Sequence, residues 1–292
     1  MAPLARNPVG RRARIDVFRR RVGGYNSDPR GGAGFDRLGK EAGEVERVLC
    51  VANQKGGVGK TTTAINLACC LAKADRRTLL VDLDPQCNAT TGLGAQPADD
   101  HPLVTCRPIR EGVCATATSG LDLLPGSRHF RQAELLRRDD DQQADRLREH
   151  LIHGFAAYDF VLIDCPPSLG QLTRTALCLS TEVLIPIQCE YFAMEGLAQM
   201  IEVVREVSGR PGCQLRFGGV LLTMYDPALE LTAEVDQEVR GYFGQLVYDT
   251  AIPRDVAMAE APSHARPVID YAPRARGARA YVELCMEVLE RD

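Results

Sequence analysis

The segment that most limits how this chain can fold is Lys55-Gly56-Gly57-Val58-Gly59-Lys60-Thr61-Thr62. It lies between a short apolar run, Val48–Ala52, and a stretch with helical character from Thr61 to Ala74. Glycines at this density let successive backbone N–H groups turn inward, and the start of the helix adds partial positive charge. Together they make a cradle for phosphate oxygens. A glycine-rich turn joining a buried strand to a helix belongs to a βαβ arrangement, so it commits the chain to a sheet. The segment departs from G-x-x-x-x-G-K-[ST] at one place, because Gln54 stands where the first glycine would be. It reads instead as K-G-G-x-G-K-T, with an additional lysine at Lys55.

The remaining sequence supplies the sheet. Thr78–Val81, Leu121–Leu124, Phe160–Ile163, Val183–Ile187, Phe217–Thr223 and Leu246–Ile252 read as further strands. Helical stretches fall near Phe130–Arg138, Asp145–His153, Met194–Val207, Thr232–Phe243 and Ala278–Glu290. Continuous apolar strands alternating with helices predict an α/β fold: a P-loop nucleoside-triphosphatase with a mostly parallel, doubly wound sheet flanked by helices. Ligands of such sheets bind at the carboxyl ends of the strands. With 292 residues, 45% of them hydrophobic, the chain can bury a sizeable core.

The chemistry of the loop assigns roles. Lys60 is expected to reach the β- and γ-phosphates of ATP, Thr61 to bind Mg²⁺ through its hydroxyl, and Thr62 to contact the α-phosphate, with Gly56, Gly57, Val58 and Gly59 presenting backbone amides. Two further segments end strands in carboxylates. Leu79–Gln86 carries Asp82 and Asp84 before a proline break, and Phe160–Ser168 is an apolar strand ending at Asp164, followed by two prolines. Asp84 is placed to act on the attacking water or on Mg²⁺-bound water, Asp82 to brace the loop, and Asp164 to hold Mg²⁺.

Lys55–Thr61 resembles the deviant Walker A motif of the ParA/MinD/nitrogenase-iron-protein superfamily, and the resemblance runs from about Val48 to the C-terminus. It implies an ATP-dependent homodimer in which Lys55 crosses to the partner's ATP, where a second cation offsets charge on the γ-phosphate. It also implies that Thr223–Asp226 and Ile252–Asp255 recognise the base, with Met224, Pro253 and Asp255 at the adenine. Among the branches, ParA/Soj partition proteins fit best, also at Ala261-Pro262-Ser263-His264. Tyrosine-kinase relatives carry a Tyr-rich tail that is absent here. The acidic end Glu283–Asp292 argues against a basic membrane helix. The implied function is DNA partition, chromosomal or plasmid-borne, with hydrolysis stimulated by a ParB-like partner. The alternative is a positioning ATPase that carries a protein cargo without binding DNA. A metabolic P-loop kinase stands third, since it leaves Lys55 unexplained.

One departure bears on DNA. Related Soj-like proteins usually place DNA-contacting arginines where this chain has Ala228 and Ala257. Substitutes are available in Arg266, Arg274, Arg276 and Arg279, a run opposed only by Asp270, which reads equally well as a nonspecific DNA contact or a solvated face. Residues 1–44 hold ten basic residues against five acids and are set apart from the ATPase domain at 45–292. They read as a mostly disordered extension with a short helix near Ile15–Arg21: a tether to a polyanion, a solvated tail, or a leader upstream of a start at Val45 or Val48. Eleven cysteines without C-x-x-C spacing read as reduced, largely buried thiols. No apolar run approaches the length of a membrane span, and a cytoplasmic, nucleoid-associated protein is expected.

Overall fold

The computed structural model describes residues 47–105, 107–132 and 154–291. The extension at 1–44, the helix expected near Asp145–His153 and most of that near Phe130–Arg138 lie outside the described residues. Seven strands form one sheet in the order β3-β4-β2-β5-β1-β6-β7. They are β1 (Arg47–Val51), β2 (Thr78–Asp82), β3 (Cys114–Ala115), β4 (Leu121–Leu124), β5 (Phe160–Asp164), β6 (Glu182–Gln188) and β7 (Arg216–Thr223). Every pairing is parallel except the short β3 against β4. The expected architecture is therefore the one observed.

The sheet is buried on both faces because the strands are apolar at successive positions. Strand periodicity sends Val48, Cys50, Val161 and Ile163 to one face and Leu49, Val51, Phe160 and Leu162 to the other. The first face is covered by three helices: α4 (Gln171–Leu179), α5 (Ala193–Ser208) and α6 (Glu230–Phe243). The second is covered by α1 (Lys60–Lys73) and α9 (Arg276–Glu290). Helix α1 is rich in Ala, Leu and Cys, with β-branched residues mainly in its first turns, and is buried from Thr63 to Ala72 between the sheet and α9. Shorter helices, α2 (Asn88–Gly92), α3 (Pro102–Thr105), α7 (Val256–Glu260) and α8 (Val268–Tyr271), fill the connections.

Two expectations are corrected. Leu246–Ile252 is not a strand: it meets β7 through an isolated parallel bridge, Val220 to Val247, and through the Tyr248 and Ile252 amides, which donate to the Val220 and Leu222 carbonyls, without forming a continuous ladder. The Asp249 and Thr250 amides donate instead to the Glu287 carboxylate of α9, at 2.8 and 3.1 Å, so those donors are withdrawn from the ladder. The cysteines are not all thiols. Cys178, at the end of α4, is joined to Cys213, ahead of β7, by a disulfide. Eight other described cysteines are free, seven of them buried. Burial pushes the Cys69 thiol up to about 11, as expected of an inert core residue.

Candidate functional site

The glycine-rich segment leaves the carboxyl end of β1 and enters α1 through Gly57 and Gly59, whose φ angles are +75° and +86°. Side-chain-bearing residues rarely adopt this region, so glycine is required for the turn. Gly59 caps α1, and the first turn of the helix holds no acidic residue that would compete with an anion. Two residues outside the motif hold the loop. The Asn53 side chain donates to the Pro186 carbonyl of β6 at 2.7 Å and accepts from the Lys55 amide at 3.0 Å. The Thr223 hydroxyl, at the end of β7, lies 2.9 Å from the Val58 carbonyl and 3.0 Å from that of Ile187.

The two lysines diverge. Lys60 is buried and its ammonium donates to the Lys55 carbonyl at 2.9 Å, folding back over the loop. Burial lowers its proton affinity, opposed first by Asp164 and more weakly by Cys165 and Asp84. Lys55 turns away from its own loop. Its ammonium pairs with Glu190 at 2.5 Å, beyond the end of β6, with both side chains partly open to solvent.

Three carboxylates cluster at the strand ends, with Asp164 and Asp84 close enough to act on Lys60 and Asp82 behind them. Asp82 is fully buried and spoken for. It accepts from the Asp84 amide (3.1 Å), the Thr90 amide (2.8 Å) and the Thr90 hydroxyl (2.7 Å), and so braces the turn into α2. Burial raises its pKa to about 6, against the pull of these hydrogen bonds. Asp84 stands at the turn and accepts from the Gln86 amide at 2.9 Å. Asp164 is fully buried, and among the described residues neither carboxylate oxygen has a hydrogen-bond partner. Burial, with Asp82 and then Asp84 nearby, raises its proton affinity; Thr61 and Lys60 oppose the rise. A buried carboxylate without partners is costly in protein alone and calls for a cation. Set beside the Thr61 hydroxyl and Asp84, it fits a hard divalent ion with oxygen ligands.

Beyond β7, Met224 adopts a left-handed conformation, φ +50°. The Tyr225 amide donates to the Ile252 carbonyl and the Arg254 amide to the Tyr225 carbonyl, which sets Met224–Asp226 alongside Pro253. Asp255 has its carboxylate engaged: one oxygen caps α7 through the Ala257 amide at 3.0 Å, and the other accepts from the Gly277 amide of α9 at 2.9 Å. Next to the start of α1 lies a cleft of about 320 Å³, lined by Thr61, Thr62, Asn66, Asn88, Met258 and Arg266 among others.

The four arginines are all exposed. Arg274, Arg276 and Arg279 gather at the start of α9, where Arg276 also reaches the Arg254 carbonyl at 3.4 Å, while Arg266 belongs to the cleft. Asp270 pairs with Lys73 at 2.8 Å. Ala228 is exposed and Ala257 half-buried, with Leu229 and Val256 exposed beside them. Neither Asn53 nor Glu190 has a site role in the sequence reading, and Thr223 has one only as the start of the base-recognition segment Thr223–Asp226, not as a holder of the glycine loop. Asn53 adjoins the glycine loop and Thr223 ends an apolar strand, which are usable signals; Glu190 has none.

Residues 46–216 match the family model described as "AAA domain". The chain is 42% identical over 268 residues to the chromosome partitioning protein ParA of Myxococcus xanthus, spanning 90% of this chain and 95% of that protein. It is 45% identical over 247 residues to the sporulation initiation inhibitor protein Soj of Bacillus subtilis, spanning 83% of this chain and 98% of that one. Among solved structures it is similar to cobyrinic acid a,c-diamide synthase from Mycobacterium smegmatis with bound ADP and magnesium. There the TM-score is 0.71 and the identity 32%, over 84% of this chain and 95% of the other.

Proposed function

Because this chain belongs to the ParA/Soj family of partitioning ATPases, we propose that it is an ATP-dependent dimerisation switch that partitions DNA. ATP lies along the glycine loop with its β- and γ-phosphates at Lys60 and its α-phosphate at Thr62. The base lies toward Met224 and Pro253. Asp255, occupied as a helix cap, contributes through the backbone position it fixes. Thr61, Asp84 and Asp164 would hold Mg²⁺, which would neutralise phosphate charge. Asp84 orients the attacking water. Lys55 serves the ATP of a second copy, and a ParB-like partner stimulates turnover and so releases DNA.

The observation that carries this reading is the divergence of the two lysines. Lys60 stays over its own loop, and Lys55 faces outward to Glu190 at the protein surface. A cation directed away from its own phosphate cradle suits work in trans.

DNA contact is assigned to Arg274, Arg276 and Arg279, doubled by dimer symmetry, with Arg266 and residues 1–44 as further sources of positive charge. Binding to an unrelated duplex in the presence of ATP is expected to weaken steeply with salt, with a log–log slope of about −0.9 per phosphate neutralised. Gel shifts at several salt concentrations check this with two variants. Loss of binding in Arg274→Glu/Arg276→Glu places DNA on the folded domain, whereas loss only on deletion of residues 1–44 makes the extension the binder. The alternative, a protein cargo carried without DNA, draws on one observation: exposed Leu229 and Val256 flank Ala228 and Ala257, where the resemblance implies arginines. No binding by the intact ATP-bound protein at low salt would favour it.

A further inference from the structure

Lys55 does not simply face solvent in the separate chain. Its backbone is stitched to β6 through Asn53, which binds the Lys55 amide on one side and the Pro186 carbonyl on the other. This fixes the direction in which the side chain leaves the loop, toward the turn between β6 and α5. That turn is itself tight: the Glu190 amide donates to the Gln188 carbonyl at 2.7 Å, and the Ala193 amide to the Glu190 carbonyl at 2.9 Å. Glu190 is thereby held where its carboxylate meets the Lys55 ammonium at 2.5 Å. The next two residues, Tyr191 and Phe192, are 56% and 63% exposed and sit edge to face with ring centroids 5.0 Å apart. The lysine, its carboxylate and two solvent-facing aromatic rings thus occupy one continuous surface beside the nucleotide loop.

We propose that Glu190 is a positioning residue that holds Lys55 in cis in the separate chain and must yield it to the ATP of a second copy when the dimer closes. This rests on the in-trans reading of Lys55 given above. Both side chains are partly exposed, 38% for Lys55 and 46% for Glu190, so water and salt screen the pair and it is a weak hold. A weak hold suits the task. Glu190 keeps the ammonium ordered and neutralised until a triphosphate, carrying several negative charges, displaces the carboxylate. The exposed rings of Tyr191 and Phe192 add apolar contact at the same approach. Because the lysine must leave one anion to reach another, the pair opposes closure by the modest amount a screened ion pair is worth, also when ATP is bound on the second copy.

The test uses Glu190→Gln, which keeps size and hydrogen-bonding capacity and removes the charge. The first measurement is amine-reactive labelling of the nucleotide-free full chain, read by mass spectrometry lysine by lysine. Labelling of Lys55 is expected to rise about two- to fivefold in the variant, with Lys60 and Lys73 unchanged. The second is the dimerisation constant with a slowly hydrolysed ATP analogue, expected to tighten about two- to fivefold while the affinity of the separate chain for the analogue stays the same. Unchanged labelling of Lys55 would overturn the proposal. So would equal dimerisation of Glu190→Gln, and so would weaker dimerisation, which would place the carboxylate's contact on the second copy instead. Lys55→Ala is measured in parallel to separate the two readings. If it dimerises like the natural chain, the in-trans role itself fails. If it stays monomeric and Glu190→Gln behaves as the natural chain does, only the cis hold fails.

Discussion

Replacing Lys60 by alanine is expected to remove ATP binding, with affinity falling by at least about a hundredfold, equivalent to about 3 kcal/mol. Lys60 is the buried cation of the glycine loop. Its ammonium donates to one carbonyl and lies near three anionic or polarisable groups, Asp164, Cys165 and Asp84. The β- and γ-phosphates supply what burial takes away, and alanine leaves them facing Asp84 and Asp164 uncompensated. The substitution removes no packing element but takes away a cation that offsets buried Asp164, so some loss of stability is expected and folding is measured beside binding. Equilibrium binding of a fluorescent ATP analogue, with circular dichroism as the control for folding, checks both points. Near-normal affinity would refute the assignment of the loop.

Asp84→Ala is expected to separate binding from turnover. ATP affinity should stay close to that of the natural chain, while hydrolysis falls by roughly 10²–10⁴, the usual contribution of a positioned general base. The ATP-bound dimer should then accumulate. Alanine also removes the acceptor for the Gln86 amide, a local cost of about 1 kcal/mol, so Asp84→Asn is the matched control: it keeps an acceptor and loses the charge. Light scattering with ATP should show a persistent dimer for both variants. A monomer that hydrolyses normally would contradict the role given to Asp84.

The parts of the molecule legible in the sequence are those whose chemistry is contiguous along the chain. Lys55–Thr62 needs only neighbouring residues to form a phosphate cradle, and the positive φ angles of Gly57 and Gly59 are what that reading requires. Strands buried on both faces announce themselves as unbroken apolar runs, which placed β1, β2, β4, β5, β6 and β7 within a residue or two. Asp82 as a brace was also legible, because a carboxylate two residues before another at a strand end invites a turn closed on its own backbone amides.

What stayed hidden depends on contacts far apart in sequence. Leu246–Ile252 has the composition of a strand, and only Glu287 on α9 decides where the Asp249 and Thr250 amides go. Cys178 and Cys213 follow no spacing motif, and their pairing appears only once α4 and the approach to β7 lie side by side. Glu190 is an ordinary acidic residue in a loop until the fold brings it to Lys55. Asp255 shows a subtler limit. Asp serves equally as a ligand contact and as a helix cap, and the start of α7 at the very next residue is the local sign that its carboxylate is consumed by backbone amides.

Lys55 is assigned to act across a dimer, and sedimentation velocity with and without a slowly hydrolysed ATP analogue tests this most directly. The natural chain should sediment as a monomer without nucleotide and as a dimer with it. Lys55→Ala should bind the analogue with unchanged affinity and remain monomeric at saturation. If Lys55→Ala dimerises and hydrolyses ATP as the natural chain does, the in-trans mechanism is wrong, although the phosphate loop built around Lys60 would still stand.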